Sequence, residues 1–283
     1  MARDRWRRGL SHLIVFLSGA SVLLALAPLA FVLFYVVSQG ISSVNLDFFR
    51  NMPTPVGEAG SGMANSIVGS FIVTGVGALF AIPIGLMSGI YAAEYAGTRF
   101  ASAVRFAADT LNGVPSIVVG VFVYSIAVLP FKQFSALAGG VALGVMMIPL
   151  IMRTTEELLR LVPPNLREGA LALGATRARA VFTVVVPAAL PGILTGILLA
   201  LARIAGETAP LLFTSFNNRY WSTDLRQPIS TLTVQIFTYA IAPNEDWHRQ
   251  AWAGALVLVT IVLLCSMIAR VATARLERLQ RGA

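Results

Sequence analysis

Two charged residues lie where charges are rare. Arg203 and Glu207 sit in the run Ala202-Arg203-Ile204-Ala205-Gly206-Glu207-Thr208-Ala209-Pro210, near the end of a long apolar stretch. A charge at mid-membrane costs about 2.5–3.5 kcal/mol on insertion scales, so such residues face a bundle interior or a watery path. On a continuous helix the i, i+4 spacing puts both on one face. Arginine presents a planar fork of donors that suits a tetrahedral oxyanion and stays charged at any working pH. A carboxylate beside it weakens the hold on the anion, so that the anion can leave. It also accepts a hydrogen bond from an oxyanion that still carries a proton, as phosphate does at neutral pH and sulfate does not. The pair predicts an anion path that favours phosphate. A structural ion pair between helices is the plainer alternative.

A second group lies outside the apolar runs, at residues 155–184. Pro163-Pro164 stops the preceding helix. Asn165 is expected to cap a short helix, with Glu168 as the acidic half of a capping box. That helix is expected over 166–173, ending at Gly174, a natural residue just past a helix end. Thr176 is expected to cap a second short helix over 177–183, with Pro187 and Pro191 opening the next span. Gly169, Ala170, Ala172 and Ala175 are small enough for another protein's backbone to come close. The residues alone allow a docking segment or an ordinary amphipathic connector.

The elements that must position both groups are membrane helices. The chain is 57% hydrophobic and 12% charged, too few charges to clothe a soluble surface, which carries about 25%. Runs of about 20 apolar residues span a bilayer. They fall near 13–37, 65–93, 108–130, 135–152, 185–208 and 251–272. The expected fold is therefore all-α and polytopic, with about six spans. Residues 1–12 and 274–283 form basic ends, and 13–273 the membrane domain, with its core over about 65–273. The second run reaches about 43 Å as a helix, so one end projects beyond the hydrocarbon. Pro83 is a candidate kink within it, and Gly113 and Pro115 a candidate break in the third. The apolar piece from Pro228 to Ala242 is too short to span and reads as interfacial or re-entrant. No internal repeat stands out.

Arginines set the expected orientation. Arg3, Arg5, Arg7, Arg8, Arg99, Arg105, Arg153, Arg160, Arg167, Arg177, Arg179, Arg270, Arg275, Arg278 and Arg281 fall on one side. Arg50, Lys132, Arg219, Arg226 and Arg249 fall on the other. The positive-inside rule puts both termini and the 155–184 insertion in the cytoplasm. The first run is longer than the apolar core of a signal peptide and reads as a retained helix. Tyr220 and Trp221 suit the outer interface as anchors. Asp109 is expected to cap its helix or to meet Arg105.

Other classes are disfavoured. The basic residues flank apolar runs and make no soluble nucleic-acid face. Cys265 has no partner for a disulfide, and His12 and His248 are isolated, so no metal site is expected. The only lysine is Lys132, in Phe131-Lys132-Gln133, which rules out a G-x-x-x-x-G-K-[ST] phosphate loop. If ATP drives this chain, a partner supplies the engine.

Glu168-Gly169-Ala170, Gly174 after three residues, and Val184-Val185-Val186-Pro187 after nine more resemble the EAA loop of ABC importer permeases. The family pattern has Ala where Gly169 stands, and Ile and Leu where valines stand. Gly206-Glu207-Thr208-Ala209-Pro210-Leu211-Leu212 is similar to the PstA-type phosphate permeases, as are Asn45–Phe49, Ala81–Gly85 running to Glu94-Tyr95, Gly113–Ile117 and Gln227–Ile229. Together these cover about residues 45–240. The resemblance implies the type I ABC importer (MetI-like) fold in a bacterial cytoplasmic membrane. It implies a PstC-type sister permease, two PstB-type ATPase subunits and an external PstS-type phosphate-binding protein. ATP and Mg would act at the partner ATPase, with no cofactor on this chain. Asn165, Glu168, Gly169, Ala170 and Gly174 would couple to the ATPase; Arg203 and Glu207 would serve translocation. Rival expectations are an ion-coupled transporter, an enzyme acting on phosphorylated lipids, and an importer of molybdate, sulfate or phosphonate.

Overall fold

The computed structural model describes residues 2–58 and 60–281. The extremes of the two expected basic ends, residue 1 and residues 282–283, lie outside the described residues. In chain order the helices are α1 (Ala2–Gly40), α2 (Leu46–Arg50), α3 (Ala64–Glu94), α4 (Arg99–Gly113), α5 (Ser116–Val123), α6 (Ala136–Leu161), α7 (Pro164–Ala172), α8 (Arg177–Ala180), α9 (Val186–Ile204), α10 (Ala209–Thr214), α11 (Leu232–Ala240) and α12 (Glu245–Arg281). Wide π-helical turns follow α5 at Tyr124–Val128 and join α8 to α9 at Val181–Val185. No strand occurs among the described residues.

Among the described residues five helical stretches are long and apolar enough to cross a membrane: Leu10–Ser43, Ala64–Glu94, Ala136–Leu161, Arg177–Ile204 and Glu245–Ile268. The expected third span, 108–130, is not one helix. α4 and the segment Ser116–Val128 meet at 104°. Gly113 lowers helix propensity, and Pro115 has no N–H to continue the ladder and turns its predecessor toward extended backbone. The window takes its apolarity from the arm beyond the corner, while the α4 arm is mixed, ending Ala108-Asp109-Thr110-Leu111-Asn112-Gly113. Counting the bent pair as one gives six spans.

The core is a seam between α3 and α6, widened by α9. The buried face of α3 follows a four-residue rhythm through Gly69, Val73, Gly77, Ala81, Gly85 and Gly89. A Cβ on Gly77 would lie 2.9 Å from the Gly140 carbonyl oxygen, so the two backbones touch at this level. In lipid, where burying apolar surface gives no drive, such close backbone packing holds helices together. Pro83 is exposed and continues the helix.

Residues 229–231, outside any helix, lie against α3. A Cβ on Gly69 would run into the Ser230 carbonyl, the Ser66 and Ser230 hydroxyls lie 2.7 Å apart, and Ser70 Oγ accepts from the Leu232 N–H at 2.7 Å. α11 is nine residues long, with Leu232, Thr233, Val234, Gln235 and Tyr239 buried, so the 228–242 segment is too short to cross and packs within the bundle.

Candidate functional site

Arg203 lies in the last turn of α9, and the helix ends one residue later. The Gly206 and Glu207 amides donate to the Arg203 and Ile204 carbonyls at 3.3 and 3.0 Å, closing tight turns in place of another α-helical one. α10 starts at Ala209. The expectation that Arg203 and Glu207 share one helix face is therefore corrected. Gly206 weakens the helix, and Pro210 has no N–H to bond the Gly206 carbonyl, so a continuous ladder cannot run through the segment. The two side chains belong to opposite sides of a break, and no ion pair joins them.

They still meet at one cleft. A cavity of about 170 Å³ is bounded by Arg203, Ile204 and Glu207, by Asn112 and Ser116 at the α4–α5 corner, and by Met146 and Leu150 of α6. Two helix breaks thus face each other, the arrangement in which irregular backbone at membrane depth lines a watery space. Gly120 of α5 holds them together, since a Cβ there would lie 2.6 Å from Pro210 Cα. Thr233 Oγ1 of α11 donates to the Glu207 carbonyl at 3.0 Å and fixes the break from behind. Arg203 is exposed and Glu207 half-buried. Among the described residues neither the guanidinium nor the Glu207 carboxylate has a hydrogen-bond partner. The cleft can therefore offer a cationic fork, a carboxylate acceptor, an amide and a hydroxyl to one small polar guest. A second pocket, about 190 Å³ between α3, α9 and α12, is walled almost wholly by apolar side chains and offers an anion nothing.

The insertion differs in detail from expectation. Asn165 is not the cap of α7: Pro163 is, and no side chain caps the helix. Pro164 takes the first helical position, where a missing N–H costs nothing and a fixed φ favours the helix. The prolines end α6 and also start α7, which leaves Asn165 inside the helix and Glu168 without a capping role. The other end is as expected. Gly174 has φ +83°, its N–H donates to the Leu171 carbonyl at 2.9 Å, and the Ala175 N–H donates to Ala170 at 3.1 Å. This crossed pair closes the helix and requires left-handed backbone, which glycine adopts freely. Thr176 Oγ1 accepts from the Arg179 N–H at 3.3 Å. The second short helix does not stand alone, because Arg177–Ile204 is one continuous helical stretch. The π turn at Val181–Val185 shifts its ladder just before Pro187, which has no N–H to give. Asn165, Glu168, Gly169 and Gly174 are exposed, and Ala170 is half-buried. A Cβ on Gly169 would meet nothing within 4 Å, so nothing within this chain requires glycine there.

One charged cluster was not anticipated. Glu156 of α6 is 1% exposed. It accepts from Arg105 Nε at 2.5 Å, Arg153 Nη1 at 3.2 Å and Arg160 Nη2 at 2.6 Å. Arg153 also clasps Asp109 through Nε, at 2.8 Å, and through Nη2. Asp109 therefore meets Arg153, while Arg105 goes to Glu156 and to the Ala92 and Ala96 carbonyls at 2.6 and 3.1 Å. The visible signal was three arginines and two acids at the ends of neighbouring spans. Arg153 and Arg160 lie one turn from Glu156 on α6, a spacing the sequence displays, whereas Arg105–Glu156 and Asp109–Arg153 join residues 51 and 44 apart, out of reach of any local pattern.

A family model described as the binding-protein-dependent transport system inner membrane component matches residues 81–282. The chain belongs to this family. Members are transporter components and not enzymes, with ATP hydrolysis on separate ATPase subunits. Membership also brings a partner permease and a binding protein. The chain is 46% identical over 274 residues to the phosphate transport system permease protein PstA of Yersinia pestis, covering 96% of this chain and 93% of that one. It is 44% identical to the protein of that name from Haemophilus influenzae, with 93% of each covered. A probable PstA of Methanocaldococcus jannaschii is 35% identical, with 89% of each covered. The fold matches a chain of the MetNI methionine ABC transporter in an inward-facing conformation (TM-score 0.62, 22% identity, 76% of this chain and 95% of that chain). It also matches a chain of a bacterial alginate ABC transporter solved with its periplasmic protein (TM-score 0.65, 14% identity, 96% of both). The type I, MetI-like importer fold is thereby identified.

Proposed function

We propose that this chain is the permease subunit of an ATP-driven importer of inorganic phosphate, with Arg203 and Glu207 on the translocation path. The observation that carries this reading is the Arg203 guanidinium, exposed into a membrane-depth cleft with no partner among the described residues. A charge kept unpaired there is costly unless something passing through uses it. Its fork grips two oxygens of a tetrahedral anion. Glu207, across the helix break, accepts a hydrogen bond from the O–H that phosphate keeps and rejects fully ionised sulfate by like-charge repulsion. The phosphate permeases among the relatives support the same cargo.

The partners follow from the same reading: a PstC-type sister permease across the cleft, two PstB-type ATPases that use ATP and Mg, and an external PstS-type binding protein. No cofactor is assigned to this chain. The basic side of the bundle, with both termini and α7, faces the cytoplasm of a bacterial cell. α7 docks on the ATPase through Asn165, Glu168, Gly169, Ala170 and the Gly174 corner, beside Leu173, which is 91% exposed. ATP binding closes the ATPases and draws α7 with them. The bundle then tilts so that the cleft opens outward, and hydrolysis returns it inward to release phosphate.

The test is ATP-dependent phosphate uptake by the reconstituted complex, with sulfate and molybdate as competitors. Phosphate is expected to be carried and the competitors to have little effect. Equal competition by sulfate would end the phosphate assignment. Disrupting Glu168 and Gly174 together is expected to uncouple hydrolysis from uptake or to prevent assembly; normal coupling would count against the docking role.

A further inference from the structure

α7 buries none of its residues fully, and only half-buried ones such as Ala170 lie toward the rest of the chain. Its fastening is polar and centres on one carboxylate. Arg167 of α7 donates Nε to Glu94 Oε1 at 3.0 Å, and its Nη2 lies 2.9 Å from the same oxygen. The same guanidinium donates to the Val162 and Leu159 carbonyls at 3.1 and 2.8 Å. Glu94 is the last residue of α3, and Leu159 and Val162 are at the end of α6. Beyond the Gly174 corner, Arg177 donates to the Glu94 backbone carbonyl. Its guanidinium also lies 4.4 Å from the centre of the Tyr95 ring. Both limbs of the insertion therefore converge on Glu94-Tyr95. The Glu94 side chain is 6% exposed although it sits at a helix end.

A guanidinium held at this many points has one geometry, unlike a greasy contact that slides. It locks α7 to α3 and α6 together. α3 and α6 share a close-packed seam, and α6 supplies Met146 and Leu150 to the cleft wall. A displacement of α7 has a continuous rigid route to that wall.

We propose that Glu94 is the anchor through which the insertion drives the bundle, with the Glu94–Arg167 pair as the transmitting contact. The Glu94 side chain is buried against Arg167 and lies outside the cleft, so its role is that of a positioning residue. This rests on the reading of α7 as the ATPase dock.

The experiment uses the complete complex in liposomes, with ATP hydrolysis and phosphate uptake measured in the same vesicles and ATPase retention scored on purification. Glu94→Gln is expected to keep the ATPase bound and hydrolysing while phosphate carried per ATP falls about tenfold. Glu94→Asp, which keeps the charge, is expected to retain most of that ratio. Tyr95→Leu changes an exposed residue and leaves the carboxylate in place, and it is expected to lower the ratio about threefold. An unchanged ratio in Glu94→Gln, or hydrolysis and uptake falling together, would overturn the proposal, since a merely structural contact lowers both alike. If Glu94→Gln does not assemble, an unchanged ratio in Tyr95→Leu overturns it. Leu171→Asp with Leu173→Asp tests the dock separately and is expected to shed the ATPase. Normal retention there would overturn the docking reading and this proposal with it. Lost retention there beside an unchanged ratio in Glu94→Gln would overturn this proposal alone.

Discussion

Near the insertion end of α6 one carboxylate, Glu156, is buried among three guanidinium groups; at the break after α9 one guanidinium, Arg203, is exposed and bonded to none of the described residues. Both regions use the same two kinds of side chain. In the first every charge is spent within the molecule, and the result is a clamp that ties α4 and the end of α3 to α6. In the second the charges are held apart by a broken helix and kept available. Satisfied charges mark structure and unsatisfied ones mark a place for a guest, and the two can be separated by experiment.

The largest effect is expected at the clamp. Glu156→Ala leaves three arginines around an emptied site, and removing one member of a buried ion pair costs about 3–5 kcal/mol. Thermal unfolding in detergent and the amount of protein in the membrane should both fall. Wild-type stability would break the comparison. Arg203→Ala should behave in the opposite way, with stability and assembly near wild type and uptake reduced about 100-fold, from the loss of two charge-assisted hydrogen bonds. Unfolding and transport assayed on one preparation distinguish these outcomes. Glu207→Gln is expected to lower phosphate uptake about tenfold and to let sulfate compete better, because the like-charge repulsion is gone. Competition curves check this, and unchanged selectivity would remove Glu207 from the path. The smallest effect is expected from Asp109→Asn at the exposed rim of the clamp. Arg153 keeps Glu156 there, so folding and uptake should both stay close to wild type.

The spans were legible because membrane crossing needs only length and apolarity, which composition displays directly. The α7 corner was legible because Gly174 has a local job, left-handed backbone at a helix end. Features set by two segments at once were not. The break after Arg203 hid inside a run whose i, i+4 spacing assumes an unbroken helix, although Gly206 and Pro210 were signs against one. The corner at Gly113–Pro115 was foreseen as a possible break, but an apolar window cannot tell a bent pair from a straight rod. Asn165 was given a capping role because Pro163-Pro164 was read as a stop and not also as a start. The Glu156 clamp joins residues 51 apart, and its arginines had already been counted as markers of orientation.

α1 adds a point about assembly. Only 6% of its most apolar window is buried, and its packing partner is α12. Tyr35 meets Trp252 edge-on with ring centres 5.1 Å apart, and Gly40 lies against the Trp252 carbonyl. α1 therefore docks against a helix synthesised long after it. Everything from Ile41 to Asn244 must be synthesised before that contact can form. Until then α1 stands in lipid on its own apolarity, and the bundle closes only when its C-terminal helix arrives.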